Sequence, residues 1–325
     1  MHKYIFRRLL MMIPVLLGVT FIVYFILSMT PGDPASIILG DGATESSIEA
    51  MREQLGLNQP IFIRYFKFLF NALKGDFGFS YRNHLAVLPM VLERFPATMI
   101  LALASIALAL AVGIPVGIIS AKKQYSAMDY SATLLTMLGV SMPTFWLGLI
   151  LVMIFSLNLG WLPSQGMGKG FVPLIKSLIL PAFTLCTHNA ATIARMTRSS
   201  MLDVINQDYI ATARSKGIME AQVTTRHMLR NALIPIVTSV GLQFGVLLGG
   251  AMLTETVFSW PGLGRLMVES IKSKDIPIVL GCVIFMAVTF SLVNLLVDIV
   301  YAFVDPRIKS QFQKVQIRKV SKVNQ

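Results

Sequence analysis

The chain has 325 residues, of which 55% are hydrophobic and only 14% are charged. Soluble domains carry about 25% charged residues, so this composition excludes an ordinary soluble enzyme and indicates a membrane protein. The net charge of +12 would suggest a nucleic-acid partner for a soluble chain. Here the charge follows membrane topology instead, and we expect no nucleic acid to bind.

Six apolar runs have about the 20-residue length that spans a bilayer, so we predict an all-α membrane protein with six transmembrane helices. The runs lie near 9–29, 98–120, 131–157, 178–196, 233–255 and 278–303. They divide the chain into an N-terminal tail with the first span (1–30), an outer segment (31–97), a five-helix core (98–304) that includes a cytosolic loop (197–232), and a cytosolic tail (305–325).

The basic residues are distributed unequally between the two sides of the predicted topology. With the N-terminus in the cytosol, the cytosolic pieces hold 17 basic and 5 acidic residues, and the outer pieces hold 11 and 9. This is the positive-inside pattern. It predicts a multi-pass protein with both termini in the cytosol and its basic groups close to anionic lipid headgroups.

The outer segment is long enough to contain helices of its own. Ser46 and Glu49 form a capping-box pattern, and Gly56 marks the expected end of that helix. A second helix is predicted from Pro60 to the residue before Gly75. Its polar residues lie on one face, opposite an apolar one: Arg64, Lys67, Asn71 and Lys74 against Ile61, Phe62, Phe66, Leu69, Phe70 and Leu73. The pattern is typical of a helix in the membrane interface; a docking surface for an outer partner is the alternative.

Several small or polar residues lie inside the predicted spans. Small residues at four-residue spacing let helices approach closely in lipid, which favours packing positions over a pore lining. Polar residues within spans face the bundle interior, either as pathway contacts or as hydrogen-bonding groups between helices. The glycines of this kind are Gly113, Gly117, Gly241, Gly245 and Gly249, and the polar pair is His188 and Asn189.

The loop near 203–231 is polar and basic. Good helix formers run from Asp203 to Ser215, Gly217 is a helix-ending glycine, and a second helix is expected from about Glu220 to Leu229. Such a rigid pair of short helices could transmit the movement of a cytosolic partner to the fourth and fifth spans. A solvated basic loop lying on lipid headgroups is the alternative, and charge alone does not separate the two.

Motifs for chemistry are missing from the sequence. The run Gly166–Gly170 has neither the spacing nor the hydroxyl of a phosphate-binding loop, and we find no zinc-protease or nucleophile-elbow motif. The four histidines are scattered, and Cys186 and Cys282 are expected as buried apolar residues. Glu255 and Asp298 are the acidic residues of the spans, both near span ends. A proton- or sodium-driven carrier usually needs ionisable groups near the midplane, so the sequence favours an energy source outside this chain.

The loop resembles a known element. Tyr209–Gly217 and His227–Pro235 resemble the EAA loop of bacterial ABC importer permeases, in the form found in the dipeptide/oligopeptide/nickel permease family. Further segments resemble the same family along the chain: Arg7–Leu9, Ile13–Val19, Pro31–Pro34, Gly75–Gly78, Ser141–Trp146 and Glu255–Gly264. The EAA pattern of ABC permeases in general begins with a Glu, where this chain has Ala211, and continues with Ile-x-Leu-Pro, where this chain has His227–Arg230. The dipeptide/oligopeptide/nickel family shares both departures from the general pattern.

The resemblance implies a type I ABC importer permease fold and a subunit that is not itself an enzyme. It implies a second permease of similar build, two ATPase subunits that bind ATP and Mg²⁺, and an extracytoplasmic binding protein, in the bacterial inner membrane. Residues 208–217 become the coupling segment that docks on the ATPase, with Asp208, Tyr209, Ala211, Thr212, Ala213, Arg214, Lys216 and Gly217 as its contacts. The cargo is a peptide, with glutathione and nickel chelates as alternatives. An ion-coupled carrier and a non-transporting scaffold are the rival functions.

Overall fold

The structure is a computed structural model that describes residues 2–29, 32–40 and 42–304. The predicted tail 305–325 lies outside the described residues. Within them the secondary structure is helical apart from one isolated antiparallel bridge between Phe79 and Ala86. Helices therefore form the whole framework of the described chain.

The helices follow one another in chain order, with the longest connections at 74–86 and 159–170. They are α1 (His2–Met29), α2 (Pro34–Leu39), α3 (Glu45–Gln54), α4 (Ile61–Leu73), α5 (Val87–Lys122), α6 (Ala127–Ser141), α7 (Thr144–Leu151), α8 (Phe171–Ile205), α9 (Asp208–Ser215), α10 (Glu220–Gln222), α11 (Arg230–Gly250), α12 (Met252–Val257), α13 (Leu263–Lys272) and α14 (Ile276–Val304). Helix α7 continues as a π-helical turn over Val152–Asn158, and another π-helical turn, Val223–Leu229, joins α10 to α11.

Five of the predicted spans are single helices long and apolar enough to cross a membrane. The prediction of one span over 131–157 is wrong in its form, because α6 and α7 meet at a bend of 100°. Met142 has extended backbone (φ −77°, ψ 128°), the conformation that a following proline imposes, and Pro143 follows it. The described residues thus contain five helices that are long and apolar enough to span a membrane, or six spans if this bent pair counts as one.

The described chain divides into two compact units. Unit 1 consists of the described residues within 1–102, 148–181 and 248–291, and unit 2 of those within 103–147, 182–247 and 292–304. Each unit is built from segments that are far apart in the sequence.

Unit 1 contains the short helices predicted between the first two spans. Helix α3 is capped by Thr44, whose hydroxyl accepts a hydrogen bond from the Ser47 N–H, so the prediction of Ser46 as the cap is wrong. Threonine and serine are both favoured caps, and the pattern alone did not decide between neighbouring hydroxyls. Helix α4 begins after Pro60 and ends before Gly75 (φ +84°), as predicted.

Helix α4 has one anchored side and one exposed apolar side. The Tyr65 side chain is 3% exposed, and its hydroxyl lies 2.8 Å from the Thr20 hydroxyl of α1. Phe62, Phe66 and Phe70 are 60–63% exposed. A helix that exposes this much aromatic surface is suited to the membrane interface.

The segment 255–264 of unit 1 folds around a buried carboxylate. Glu255 is fully buried and accepts hydrogen bonds from the Thr98 hydroxyl (2.7 Å) and the Arg265 N–H (3.0 Å). Gly262 lies so close to this carboxylate that a Cβ there would overlap it. Trp260 is fully buried and donates its indole N–H to the Ala97 carbonyl at 2.8 Å. The polar groups of this segment are thus satisfied within the chain.

Unit 2 packs α5 closely on α8. A Cβ at Gly113 would lie 2.7 Å from the Ala190 carbonyl oxygen, and a Cβ at Gly117 would lie 2.6 Å from that of Ala194. Both distances are shorter than real Cβ contacts, so only glycine fits. These two glycines occupy packing positions, which is the interpretation that the sequence favoured.

Candidate coupling surface

Helix α9 contains most of the predicted coupling segment. Gln207, with extended backbone, precedes the helix, and Asp208 in the first turn complements the positive end of the helix dipole. The helix ends where Gly217 adopts φ +74° and donates its N–H to the Arg214 carbonyl at 2.9 Å. Glycine adopts this left-handed backbone without a steric cost.

The predicted helix over Asp203–Ser215 is wrong in one respect. Helix α8 continues to Ile205, the chain turns at residues 206–207, and α9 starts afresh at Asp208. The predicted separate helix from Glu220 to Leu229 is also different in the structure. It joins α11 through the π-helical turn, so Glu220–Gly249 runs as one helix of 30 residues.

Two residues anchor α9 to unit 2. Ile210 is fully buried and Ala213 is 6% exposed. They belong to a cluster with Ala121 of α5, Met201 of α8 and residues from the α10–α11 segment, namely Val223, Met228, Ala232 and Ile236. Because the cluster joins α9 to three longer helices, any displacement of α9 acts on all of them.

The opposite side of α9 is exposed. The exposed residues are Asp208, Tyr209, Ala211, Thr212, Arg214, Ser215, Lys216 and Gly217. The sequence did not distinguish the two sides, and Ala213, predicted as a contact of the segment, points into the cluster instead. What remains is a small polar surface with one aromatic side chain.

Two contacts brace the ends of this surface. The Arg214 guanidinium donates to both carboxylate oxygens of Glu220, at 3.0 and 3.1 Å, and these hydrogen bonds raise the pKa of Arg214. The Tyr209 hydroxyl accepts a hydrogen bond from the Asn231 side chain at 3.1 Å. Both contacts tie α9 to the following helix while leaving the outer side free.

An ion pair with a buried carboxylate and a partly buried guanidinium lies beside this region, and it was not predicted from the sequence. Asp129 of α6 is 3% exposed and accepts two hydrogen bonds from the Arg198 guanidinium of α8, at 2.7 and 2.8 Å. The Ser120 hydroxyl at the end of α5 and the Tyr125 N–H also donate to Asp129. The pair is separated by 69 residues, so no local pattern announces it.

The residues predicted to line the pathway or a helix interface differ in how far they are buried and in what they contact. Asn189 is 5% exposed and donates to the Leu185 carbonyl of its own helix at 2.7 Å, while His188 beside it is half-buried. Gly241 is buried in unit 2, where an added Cβ would overlap Val297 of α14, and Gly245 is also buried. Gly249, in unit 1, is exposed with open space around it. The series of glycines at four-residue spacing is therefore a packing surface at Gly241 and not at Gly249.

Among the described residues, no three His, Cys, Asp or Glu side chains come together in a way that could hold a metal ion. Cys186 and Cys282 are both buried and both free, as the sequence indicated. The exposed polar side chains of the short, anchored helix α9 are therefore the candidate site of this chain.

Comparison with known proteins decides the family. The sequence profile of the binding-protein-dependent transport system inner membrane component matches residues 113–310. The profile for the N-terminal part of the membrane components of such systems matches residues 1–102. The chain belongs to this family. It is therefore a multi-pass protein of the inner membrane and one component of an ABC importer.

Similar proteins cover nearly the whole length of this permease. The oligopeptide transport system permease protein AppB of Bacillus subtilis is 44% identical over 95% of this chain and 100% of AppB. The dipeptide transport system permease protein DppB of Alkalihalophilus pseudofirmus is 42% identical over 95% of this chain and 100% of DppB. The glutathione transport system permease protein GsiC of Escherichia coli K12 is 41% identical over 95% of this chain and 99% of GsiC.

Solved structures support the fold of the permease. The MetNI methionine ABC transporter, in an inward-facing native crystal form, matches with a TM-score of 0.54 and 17% identity, over 66% of this chain and 96% of that chain. A second crystal form of the same transporter gives a TM-score of 0.55. At this identity the likeness concerns the fold alone. The predicted type I importer permease fold is confirmed.

Proposed function

We propose that this chain is the non-catalytic permease subunit of an ABC importer for dipeptides and oligopeptides. The observation behind the coupling role is the two-sided construction of α9. Ile210 and Ala213 anchor the helix, whereas Asp208, Tyr209, Arg214 and Lys216 are left exposed. A polar surface held rigidly on three long helices is suited to docking a moving subunit.

The assembly that we propose has four kinds of subunit. This chain and a second permease of similar build form the pathway, two ATPase subunits bind ATP and Mg²⁺ beneath the coupling segment, and an extracytoplasmic protein delivers the cargo. Both termini lie in the cytosol, in accord with the 17 basic and 5 acidic residues of the pieces assigned to that side. Membrane lipid covers the exposed apolar surfaces of the spans.

Coupling works through contacts that the fold provides. Closure of the ATPase pair pushes on α9, and the Ile210–Ala213 anchor passes that displacement to α5, α8 and α11. The cavity shared with the second permease then switches between its inward and outward forms. His188 and Asn189 on α8 are the polar groups of this chain that we place nearest the pathway.

The peptide assignment is supported by the relatives. AppB and DppB are named as oligopeptide and dipeptide permeases and are 44% and 42% identical to this chain. Glutathione, a modified tripeptide, is the second candidate because GsiC is 41% identical. Nickel chelates are a third candidate, because the sequence resembles a family that includes nickel permeases.

The test uses the complete complex, purified through an affinity tag on this chain and reconstituted in proteoliposomes with its binding protein. We expect ATP-dependent uptake of radiolabelled tri-alanine, competed by unlabelled dipeptides and not by glutathione. Uptake driven by a proton or sodium gradient without ATP would contradict the proposal. Competition by glutathione alone would move the assignment to the second candidate.

A further inference from the structure

Asp129 and Arg198 form a two-pronged ion pair, which is more than the neutralisation of one charge by another requires. The guanidinium donates two hydrogen bonds to the two carboxylate oxygens, at 2.7 and 2.8 Å. This fork arrangement fixes the orientation of both side chains as well as their distance. The side chain of Asp129 is 4% exposed and that of Arg198 is 29% exposed, so water screens the pair weakly.

The pair gathers three helices at one point. Arg198 comes from α8 and Asp129 from the first turn of α6, whose N-cap is Ser126. The Ser120 hydroxyl, which also donates to Asp129, lies near the end of α5. Every acceptor oxygen of this carboxylate therefore faces a donor from a neighbouring segment.

The same helices meet the coupling segment one step further along the chain. Ala121 is the residue after Ser120, and Met201 lies three residues, almost one helical turn, after Arg198. Ala121 and Met201 are both buried in the cluster that holds Ile210 and Ala213 of α9. Helix α6 contributes no residue to that cluster; it meets α8 through this ion pair and through the close approach of Gly139 to Thr187 and Ala191.

We propose that Asp129 and Arg198 form a clamp that makes the ends of α5, α6 and α8 move as one body when the coupling segment is displaced. The inference rests on the proposed function, because it takes α9 as the point where the ATPase acts. Without the clamp, α9 still moves α5 and α8 through the apolar cluster, but α6 keeps only its packing on α8 around Gly139 and follows less closely. Asp129 and Arg198 are thus positioning residues for transport.

The first experiment measures the movement directly in the complete complex. Spin labels are attached to Ser131→Cys on α6 and Ser199→Cys on α8, both exposed positions. The native Cys186 and Cys282 are buried and are poorly placed to react. We expect the distance between these two labels to be the same in the nucleotide-free and ATP-bound states. The distance between a label at Ser199→Cys and a label on the ATPase subunit should change between the two states. A change in the 131–199 distance would overturn the clamp.

The second experiment asks whether the clamp affects coupling as well as folding. In proteoliposomes we expect Asp129→Asn to lower the tri-alanine imported per ATP hydrolysed by about tenfold, within the range that mutations of coupling networks produce. Subunit assembly and ATP hydrolysis should stay near those of the unaltered complex. Arg198→Lys keeps the charge but loses the fork, so we expect an intermediate loss.

The matched control is Glu269→Gln, which removes the exposed Arg265–Glu269 pair at 2.7 Å in unit 1. It should leave the imported peptide per ATP unchanged. An unchanged ratio in Asp129→Asn, or equal loss of assembly, hydrolysis and uptake, would overturn the positioning role. If the unaltered complex fails to import any peptide, the proposed function fails, whereas the spin-label distances still decide the clamp.

Discussion

Two segments of this permease resemble the family equally well but are built in opposite ways. In the 255–264 segment, the Glu255 carboxylate, the Trp260 indole and the Gly262 backbone close on one another inside unit 1. In the 208–217 segment, only Ile210 and Ala213 are buried and the polar residues are exposed. Both are recognisable from sequence, yet only the first buries its polar groups inside the chain.

The difference indicates that a family motif can be kept for two physical reasons, folding of the chain or contact with a partner. Buried polar groups must find partners inside the protein, so the first segment is explained by its own folding. Exposed polar residues on a rigid anchored helix contribute little to folding, so we explain the second segment by the partner subunit of the proposed function. The comparison predicts that substitutions in the first segment reduce stability and that those in the second reduce coupling.

The largest effect is expected for Glu255→Ala. It removes the acceptor of the Thr98 hydroxyl and of the Arg265 N–H, and each buried donor left without a partner costs about 1–3 kcal/mol. We expect little assembled complex, measured as the yield and thermal unfolding of the purified assembly. Glu255→Gln keeps an acceptor oxygen and should be milder. A Glu255→Ala complex as stable as the original would break the comparison.

Gly262→Ala is the next largest change. The added Cβ would overlap the Glu255 carboxylate, and overpacking of this kind costs about 1–3 kcal/mol. The control is Gly18→Ala in α1, where nothing lies within 4 Å of the new Cβ and where alanine favours the helix. Thermal unfolding of both complexes should show a loss for Gly262→Ala alone. Equal melting temperatures would contradict the packing argument.

Gly217→Val tests the second segment. Nothing lies within 4 Å of a Cβ at Gly217, but the backbone has φ +74°, which costs a non-glycine residue about 1–2 kcal/mol. The strain acts on the end of α9, so we expect an assembled complex that hydrolyses ATP and imports less tri-alanine per ATP. Gly217→Asn, which tolerates this backbone, should behave nearly normally. Full transport by the valine variant would refute the need for this turn.

Arg214→Gln should have the smallest effect on stability. Its ion pair with Glu220 is exposed on both sides, and such pairs contribute less than about 1 kcal/mol. We expect weaker retention of the ATPase subunits during affinity purification in moderate salt. Glu220→Gln breaks the same ion pair but leaves Arg214 free to contact the partner, so it should retain them. Identical retention in both variants would show that the arginine acts only within the chain.

Sequence patterns predicted the parts of this fold that depend on local composition. Long apolar runs gave the spans, and the amphipathic pattern of 60–75 gave α4. The bend between α6 and α7 was missed because an apolar run continues across Met142 and Pro143 regardless of the break. The division of 203–215 into two helices was missed because good helix formers lie on both sides of residues 206–207.

The sequence predicted which residues form the candidate site, 208–217, but not which of their side chains are exposed. Which side of α9 is buried depends on Met201, Val223 and Met228, which come from other helices. The Asp129–Arg198 pair depends on contact between residues 69 positions apart. Such tertiary contacts leave no periodic trace in a single sequence, so only the structure reveals them.

The most direct test of the account is a site-specific cross-link from the exposed side of α9. A photoreactive amino acid at Ala211, in the complete complex in membranes, should link to an ATPase subunit, and the yield should change when ATP is added. The same amino acid at Phe62 of α4, which is 63% exposed, should give no such product. If Ala211 links only to lipid or to nothing, the coupling segment has no partner and the central claim is contradicted.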